Sequence, residues 1–272
     1  MPDEPVSTLS DVTRTYGGVP VLDSISLAID PGVTAVIGPN GSGKSTLLRL
    51  LVGATEPTTG EVRHPGATGP KPIGYLPQRV PFRDGFTARE TLAFYARLVG
   101  GDPDAALEQV GLADAGDRRV EALSGGMRRL LGIAQAVLGD PTLVALDEPA
   151  SGLDPGMRER AFRAAAERAD RDTAVVVSSH ALDLVDDHAD RVVLLRRGGV
   201  AVAGPLDRLL DDHAVDDVSG LYRAVTAAEE RTGAGRSDEE GGNGDGDAES
   251  DEEERDGGDT KPDVHVTGVS ER

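Results

Sequence analysis

The chain has 272 residues and no cysteine, so it is long enough for one large α/β domain with a tail, while disulfides and thiolate metal sites are excluded. Its formal charge of −20, from 48 acidic against 28 basic residues, opposes the basic footprint that phosphate neutralisation needs, so no nucleic-acid partner is expected. No apolar run approaches bilayer length and the opening MPDEPVSTLS does not read as a signal peptide, so a membrane role is expected to come through a partner.

Up to about residue 65 the pattern is strand-rich: apolar positions alternate in VLDSISLAI (21–29), and a short buried run, VTAVIG (33–38), leads into a glycine loop. A helix, KSTLLRLLVG, follows. Loop punctuation then dominates until a short strand, IGYLPQ (73–78). Residues 87–138 read as mostly helical, through TARETLAFYARLVG, DPDAALEQVGL and GGMRRLLGIAQAVLG. Beyond them strands and helices alternate: LVALD (143–147), a helix over 156–169, TAVVVSS (173–179), a helix over 181–187 and RVVLL (191–195). That alternation predicts a parallel sheet covered by helices, with a helical insertion. From Gly233 onward there is almost nothing apolar, and 14 acids against 4 bases account for −10 of the charge. Such a segment cannot bury enough surface to offset its ordering entropy, and residues 233–272 are expected to be disordered. Only Lys44, Lys71 and Lys261 are lysines, and this acid-rich, lysine-poor composition suits a salt-rich, halophilic setting.

The glycine loop carries the first chemistry. Gly38, Pro39, Asn40, Gly41, Ser42, Gly43, Lys44 and Ser45 form GPNGSGKS, which matches G-x-x-x-x-G-K-[ST] between a predicted strand and a predicted helix. The glycines let successive N–H groups face a phosphate chain, where the helix dipole adds favourable potential. Lys44 can reach the β- and γ-phosphates, Ser45 can ligate Mg²⁺, and Thr46 can hydrogen-bond a phosphate oxygen. The apolar strand LVALDEP supplies the second half, placing Asp147 and Glu148 at the carboxyl edge of a parallel sheet. Asp147 would complete the Mg²⁺ shell, and Glu148 could orient or deprotonate an attacking water.

A second helix start, LSGGM at 123–127, is also built to meet an anion, although one phosphate chain needs only one such cradle. With it come Tyr16, the loop YLPQ ending at Gln78, SGLD at 151–154, and His180 after an apolar strand. In this order the features resemble the nucleotide-binding subunit of ATP-binding cassette (ABC) transporters, over roughly residues 6–230. The resemblance implies an α/β P-loop NTPase fold of the ABC type. Its parts would be a mixed-sheet core, an N-terminal antiparallel β-subdomain and an inserted α-helical subdomain at about 86–138. The ATP-binding domain would span 1–232. The resemblance also implies ATP and Mg²⁺ as ligands, with Ser45, Gln78 and Asp147 holding the metal and Lys44, Gln78, Glu148 and His180 serving catalysis. Tyr16 would stack on adenine. Ser124, Gly125 and Gly126 would close over the nucleotide of a second such domain, with Asp154 at the seam. Many members carry glutamine where this chain has Met127, which implies altered ribose-side contacts. His64, His188, His213 and His265 read as polar surface residues.

Two readings follow from the resemblance. One is the energy-coupling subunit of a membrane transporter, a homodimer working with an integral-membrane partner at the cytoplasmic face of the membrane. The other is a soluble ABC ATPase of DNA repair, chromosome organisation or translation. A single cassette, a short helical insertion and the absence of cysteine favour the first. The segments FTARETLAFYARLVG, ALDEPASGLDPGMR and SSHALDLVDDHADRVVLLRRGGVAVAGPL resemble the multidrug, antibiotic-resistance and copper-processing exporter branch.

Overall fold

A computed structural model describes residues 4–65, 73–169 and 172–234. The chain divides into two units, Met1–Arg231 and Thr232–Arg272; both sheets lie in the first, and only residues 232–234 of the second are described. The acidic segment expected to be disordered therefore lies, from residue 235, outside the described residues.

The chain opens with strands β1 (Ser7–Tyr16), β2 (Val19–Ile29) and β3 (Gly32–Ile37), then helix α1 (Lys44–Leu51) and strands β4 (Thr59–Arg63) and β5 (Ile73–Leu76). Helices α2 (Ala88–Val99), α3 (Pro103–Gln109) and α4 (Gly125–Val137) form the helical insertion. Then come β6 (Leu143–Asp147), α5 (Pro155–Ala166), β7 (Ala174–Ser178), α6 (Leu182–His188), β8 (Arg191–Arg196), β9 (Gly199–Pro205), α7 (Leu206–His213) and α8 (Val218–Ala234). An antiparallel three-stranded sheet has the order β2-β1-β4, and a six-stranded sheet runs β5-β6-β7-β3-β8-β9. All neighbours in the larger sheet are parallel except β8 and β9, so the core sheet is mixed.

Period-two alternation places the larger sheet between packed layers. On β6, Val144 and Leu146 face the insertion, packing with Leu92, Leu107, Leu130 and Phe162, whereas Leu143 and Ala145 face α1 and the antiparallel sheet. On β3, Val36 joins the α1 side, where Leu47, Leu48 and Leu51 meet Val12, Leu22 and Ile25. Ala35 and Ile37 point the other way, to Leu206, Leu209 and Leu221 of α7 and α8.

Side-chain caps set where most of these helices begin. Thr87 and Glu90 form a reciprocal capping box on α2; Asp102 and Asp154 cap α3 and α5, each followed by proline at the first helical turn.

Three elements after residue 195 escape the sequence patterns. Strand β9, GVAVAGP, is a half-buried antiparallel edge built of small residues, so its hydrophobic signal is weak. It follows a tight hairpin in which Arg197 and Gly198 both take positive φ, 50° and 80°, the geometry whose twist matches paired strands. Helices α7 and α8 complete the layer beside it. The histidines also need correction: His64, His188 and His213 are half-buried, not surface groups. His188 stacks on Phe162 with ring centroids 5.9 Å apart, and His213 Nδ1 lies 2.9 Å from the Leu209 carbonyl. His265 lies outside the described residues.

Candidate active site

The carboxyl ends of parallel strands β3, β5, β6 and β7 share one edge of the larger sheet, the place where open α/β sheets bind ligands. The loop after β3 reaches Gly43, the N-cap of α1, which has φ 102° and offers no side-chain cap. The first amides of α1 are therefore free of intramolecular side-chain acceptors, which suits an anion. Two of the loop glycines are sterically required. A Cβ on Gly38 would lie 2.2 Å from the Leu195 carbonyl oxygen, and one on Gly43 would lie 2.5 Å from Leu22 Cδ2.

Lys44 opens α1 and curls back along the loop. Its Nζ donates to the carbonyls of Gly38 (2.9 Å) and Pro39 (3.1 Å). Burial pushes its pKa below the usual lysine range, while the nearby carboxylates of Glu148 and Asp147 pull it back up. One residue further, Ser45 Oγ donates to Asp147 Oδ1 at 3.0 Å. The same Oδ1 accepts from Ser178 Oγ at 2.8 Å, across a pair of strands that puts Asp147 and Ser178 in register.

Asp147 is wholly buried, and its Oδ2 has no hydrogen-bond partner. A buried carboxylate oxygen without a partner is costly, and a cation or its water shell at that oxygen would relieve the cost. Ser45 Oγ, Asp147 Oδ2 and the Gln78 amide oxygen make an all-oxygen donor set, the chemistry that suits Mg²⁺. Among the described residues no three acidic or histidine side chains cluster as a complete metal cage.

Glu148 follows Asp147 in a left-handed backbone conformation, φ 51°, which is uncommon for a residue with a Cβ. Its N–H donates to Ser178 Oγ at 2.8 Å, and its Oε1 lies 3.0 Å from His180 Nε2. Gln78, just past β5, is exposed. A cavity of about 260 Å³ is lined by Asn40, Gly41, Gly43, Lys44, Ser45, Thr46, Gln78 and Glu148, so the structure brings these together. Glu148 also walls a second cavity of about 280 Å³ with His180, Ser151 and Arg158.

The remaining expected residues are not part of the first cavity's lining. Tyr16, at the end of β1, is 41% exposed, and the Arg14 guanidinium covers its ring at 4.5 Å. Ser124 caps α4, its Oγ accepting from the Met127 N–H at 3.1 Å. Gly125 has open space where a side chain would be, whereas Gly126 packs against Met157. Asp154 caps α5 through the Met157 N–H at 2.9 Å. The Met127 sulfur lies 3.9 Å from Arg118 Nη1.

Sequence reasoning missed two residues at this edge. Ser178 ends an apolar strand in register with Asp147, and in the sequence it is only the first of two serines that read as a strand end. Arg129 lies buried on α4, spaced three, four and seven residues before the buried Gly132, Ile133 and Ala136, so its charge falls on the apolar stripe.

A glycine loop opening a helix after β3, with a serine-bound aspartate at the end of β6 two strands along the same sheet edge, defines a P-loop nucleotide-binding protein. Comparison narrows this further. A family model described as ABC transporter matches residues 22–151. The chain is 32% identical over 228 residues to a Nod factor export ATP-binding protein I of Rhizobium etli, covering 78% of this chain and 72% of that one. It is 42% identical over 199 residues to the zinc import ATP-binding protein ZnuC of Paracoccus denitrificans, covering 70% and 76%. A solved ATP-binding subunit of an ABC transporter superposes with a TM-score of 0.72 at 26% identity, covering 81% of this chain and 99% of that one. The chain belongs to the ABC transporter family, as an ATP-binding and ATP-hydrolysing subunit. Among the described residues no helix is long and apolar enough to cross a membrane.

Proposed function

We propose that two copies of this chain bind two ATP molecules head to tail and hydrolyse them to drive an integral-membrane partner, from the cytoplasmic face of the membrane. In this reading the loop amides and Lys44 hold the β- and γ-phosphates, and Tyr16 stacks on adenine. Ser45, Gln78 and Asp147 hold Mg²⁺, which when bound neutralises charge across the β- and γ-phosphates. Glu148 accepts a proton from water as the water oxygen attacks the γ-phosphorus; the bond from that phosphorus to the bridging oxygen breaks, and ADP leaves. His180, 3.0 Å from the Glu148 carboxylate, keeps that group aimed, and in this reading it also hydrogen-bonds the γ-phosphate.

The observation that carries the dimer is the separation of the two cradles. Ser124, Gly125 and Gly126 do not line the cavity made by Lys44, Gln78 and Glu148, and in this reading their donors serve the nucleotide held by the second copy. The membrane partner is assigned to the insertion, where Phe94 and Leu98 are exposed on α2 beside a 170 Å³ groove lined by Phe82, Phe86 and Tyr95. Named relatives include both an export and an import protein, so direction of transport is left to the membrane subunit.

Glu148→Gln removes the proton acceptor while keeping size, so it should slow hydrolysis by orders of magnitude, leave ATP binding intact and trap a dimer with two nucleotides. Adding Ser124→Arg puts a bulky charge at the seam and should abolish that dimer while each chain still binds ATP. Light scattering with Mg-ATP decides the matter. A Glu148→Gln chain that stays monomeric even with its membrane partner present, or a double variant that dimerises as well as its parent, overturns the reading.

A further inference from the structure

We propose that Arg129 is a positioning residue for hydrolysis, locking the Gln78 loop and Glu148 into one frame. The inference rests on the roles given above to those two residues. Arg129 lies on α4, five residues past Ser124, and is buried. Its Nη1 donates to the carbonyls of Pro77 (2.7 Å) and Gln78 (2.9 Å). Its Nη2 donates to the carbonyls of Asp147 and Glu148, the latter at 2.9 Å. One planar fork thus joins the chain just beyond β5 to the chain at the end of β6.

These four carbonyls lie at or just past the ends of adjacent parallel strands β5 and β6, where their pairing has stopped. Main-chain acceptors buried there need donors, and the guanidinium supplies several in a fixed plane. A lysine ammonium is a point charge and could serve one chain or the other, not both.

The geometry at Glu148 makes the frame matter for chemistry. Its left-handed φ of 51° persists only if surrounding bonds over-determine it. Three such bonds exist: its N–H is held by Ser178 Oγ, and its carbonyl accepts from Arg129 at 2.9 Å and from the Ser151 N–H at 3.1 Å. Removing Arg129 leaves the carbonyl to the Ser151 amide of its own turn, with no tie to the β5 side, and the carboxylate can drift from His180. At the same time the Gln78 loop loses its tether to β6. Arg129 touches neither the glycine loop nor Lys44 among its hydrogen bonds, so phosphate binding does not depend on it.

The test is a double-mutant cycle on the full chain, with ATP affinity, single-turnover hydrolysis and thermal midpoint measured for each variant. Arg129→Met should lower the hydrolysis rate about 10²-fold, the scale of a misplaced catalytic group, with ATP affinity unchanged. Arg129→Lys should fall between Arg129→Met and the parent. In a Glu148→Gln background Arg129→Met should cost clearly less, because the share of its effect that runs through Glu148 is already lost. An equal fall in both backgrounds, or weakened ATP binding with an unchanged rate, overturns the proposal. A Glu148→Gln chain that hydrolyses at the parental rate overturns the role of Glu148 itself, and the proposal with it. Where Arg129→Met lowers the midpoint so far that the chain no longer folds, the same cycle with Arg129→Lys, which keeps the buried charge, decides between these outcomes.

Discussion

Ser178 is a small residue with a large share in the geometry of the catalytic edge. Its single hydroxyl donates to Asp147 Oδ1 and accepts from the Glu148 N–H, both at 2.8 Å, in a wholly buried position. Ser178→Ala therefore leaves a buried amide without an acceptor, a loss of about 1–3 kcal/mol. It also releases the amide side of a left-handed glutamate. Urea unfolding should register that loss in the midpoint, and hydrolysis should slow while ATP affinity, carried by Lys44 and the loop amides, holds. A variant as stable and as active as the parent would show that the hydroxyl is dispensable. Asp147 and Glu148 were legible in the sequence because an apolar strand ending in two carboxylates behind a glycine loop is a spacing signal. Ser178 and Arg129 were not, because their partners lie 31 and as many as 52 residues away in sequence.

Helix starts at this edge are of two kinds. The α1 start ends in Gly43 and has no side-chain cap, whereas α4 and α5 carry Ser124 and Asp154 as caps. Ser124 thus has a local duty that is separate from any contact with a second chain, and substitution can split the two. Aspartate is as good an N-cap as serine, whereas alanine loses about 1 kcal/mol. Ser124→Asp should keep the thermal midpoint of the parent, and Ser124→Ala should lower it. In the Glu148→Gln background, however, Ser124→Asp places a carboxylate where a γ-phosphate is expected, and like charges repel. It should then prevent the ATP-dependent dimer in light scattering despite its intact fold. Dimerisation at the parental level would mean that Ser124 serves only as a cap. These helices were legible as segments in the sequence, and α2, α3 and α5 begin within a residue or two of the stretches that read as helical. The β9 edge was not, since small half-buried residues carry little periodicity and its hairpin turn uses Arg197 where asparagine or aspartate is the usual signal.

For the molecule as a whole, the net charge of −20 on 272 residues sets the dependence on salt. Carboxylates in excess repel one another through a screening length that shrinks from ~30 Å at 0.01 M salt to ~3 Å at 1 M. The thermal midpoint should therefore rise as KCl increases from dilute buffer to molar concentrations. A midpoint that stays flat or falls over that range would mean that the surplus acids are already balanced within the fold. With only three lysines in the chain, local ion pairs rest on arginine, as in Arg89 with Asp117 and Arg191 with Asp30, so much of the acidic surface is left to counterions.

By itself the sequence determined the phosphate loop, the acidic strand end, the order of most strands and helices, and the second helix start at Ser124. These are local patterns, in which glycine conformational freedom, strand alternation and helix capping act within a few residues. Only the tertiary structure decided that Asp147 is held by Ser45 and Ser178, that Glu148 sits left-handed beside His180, and that one buried arginine ties two strand ends together. Those bonds join residues far apart in the chain, and their partners become neighbours only once parallel pairing has set β5, β6 and β7 side by side.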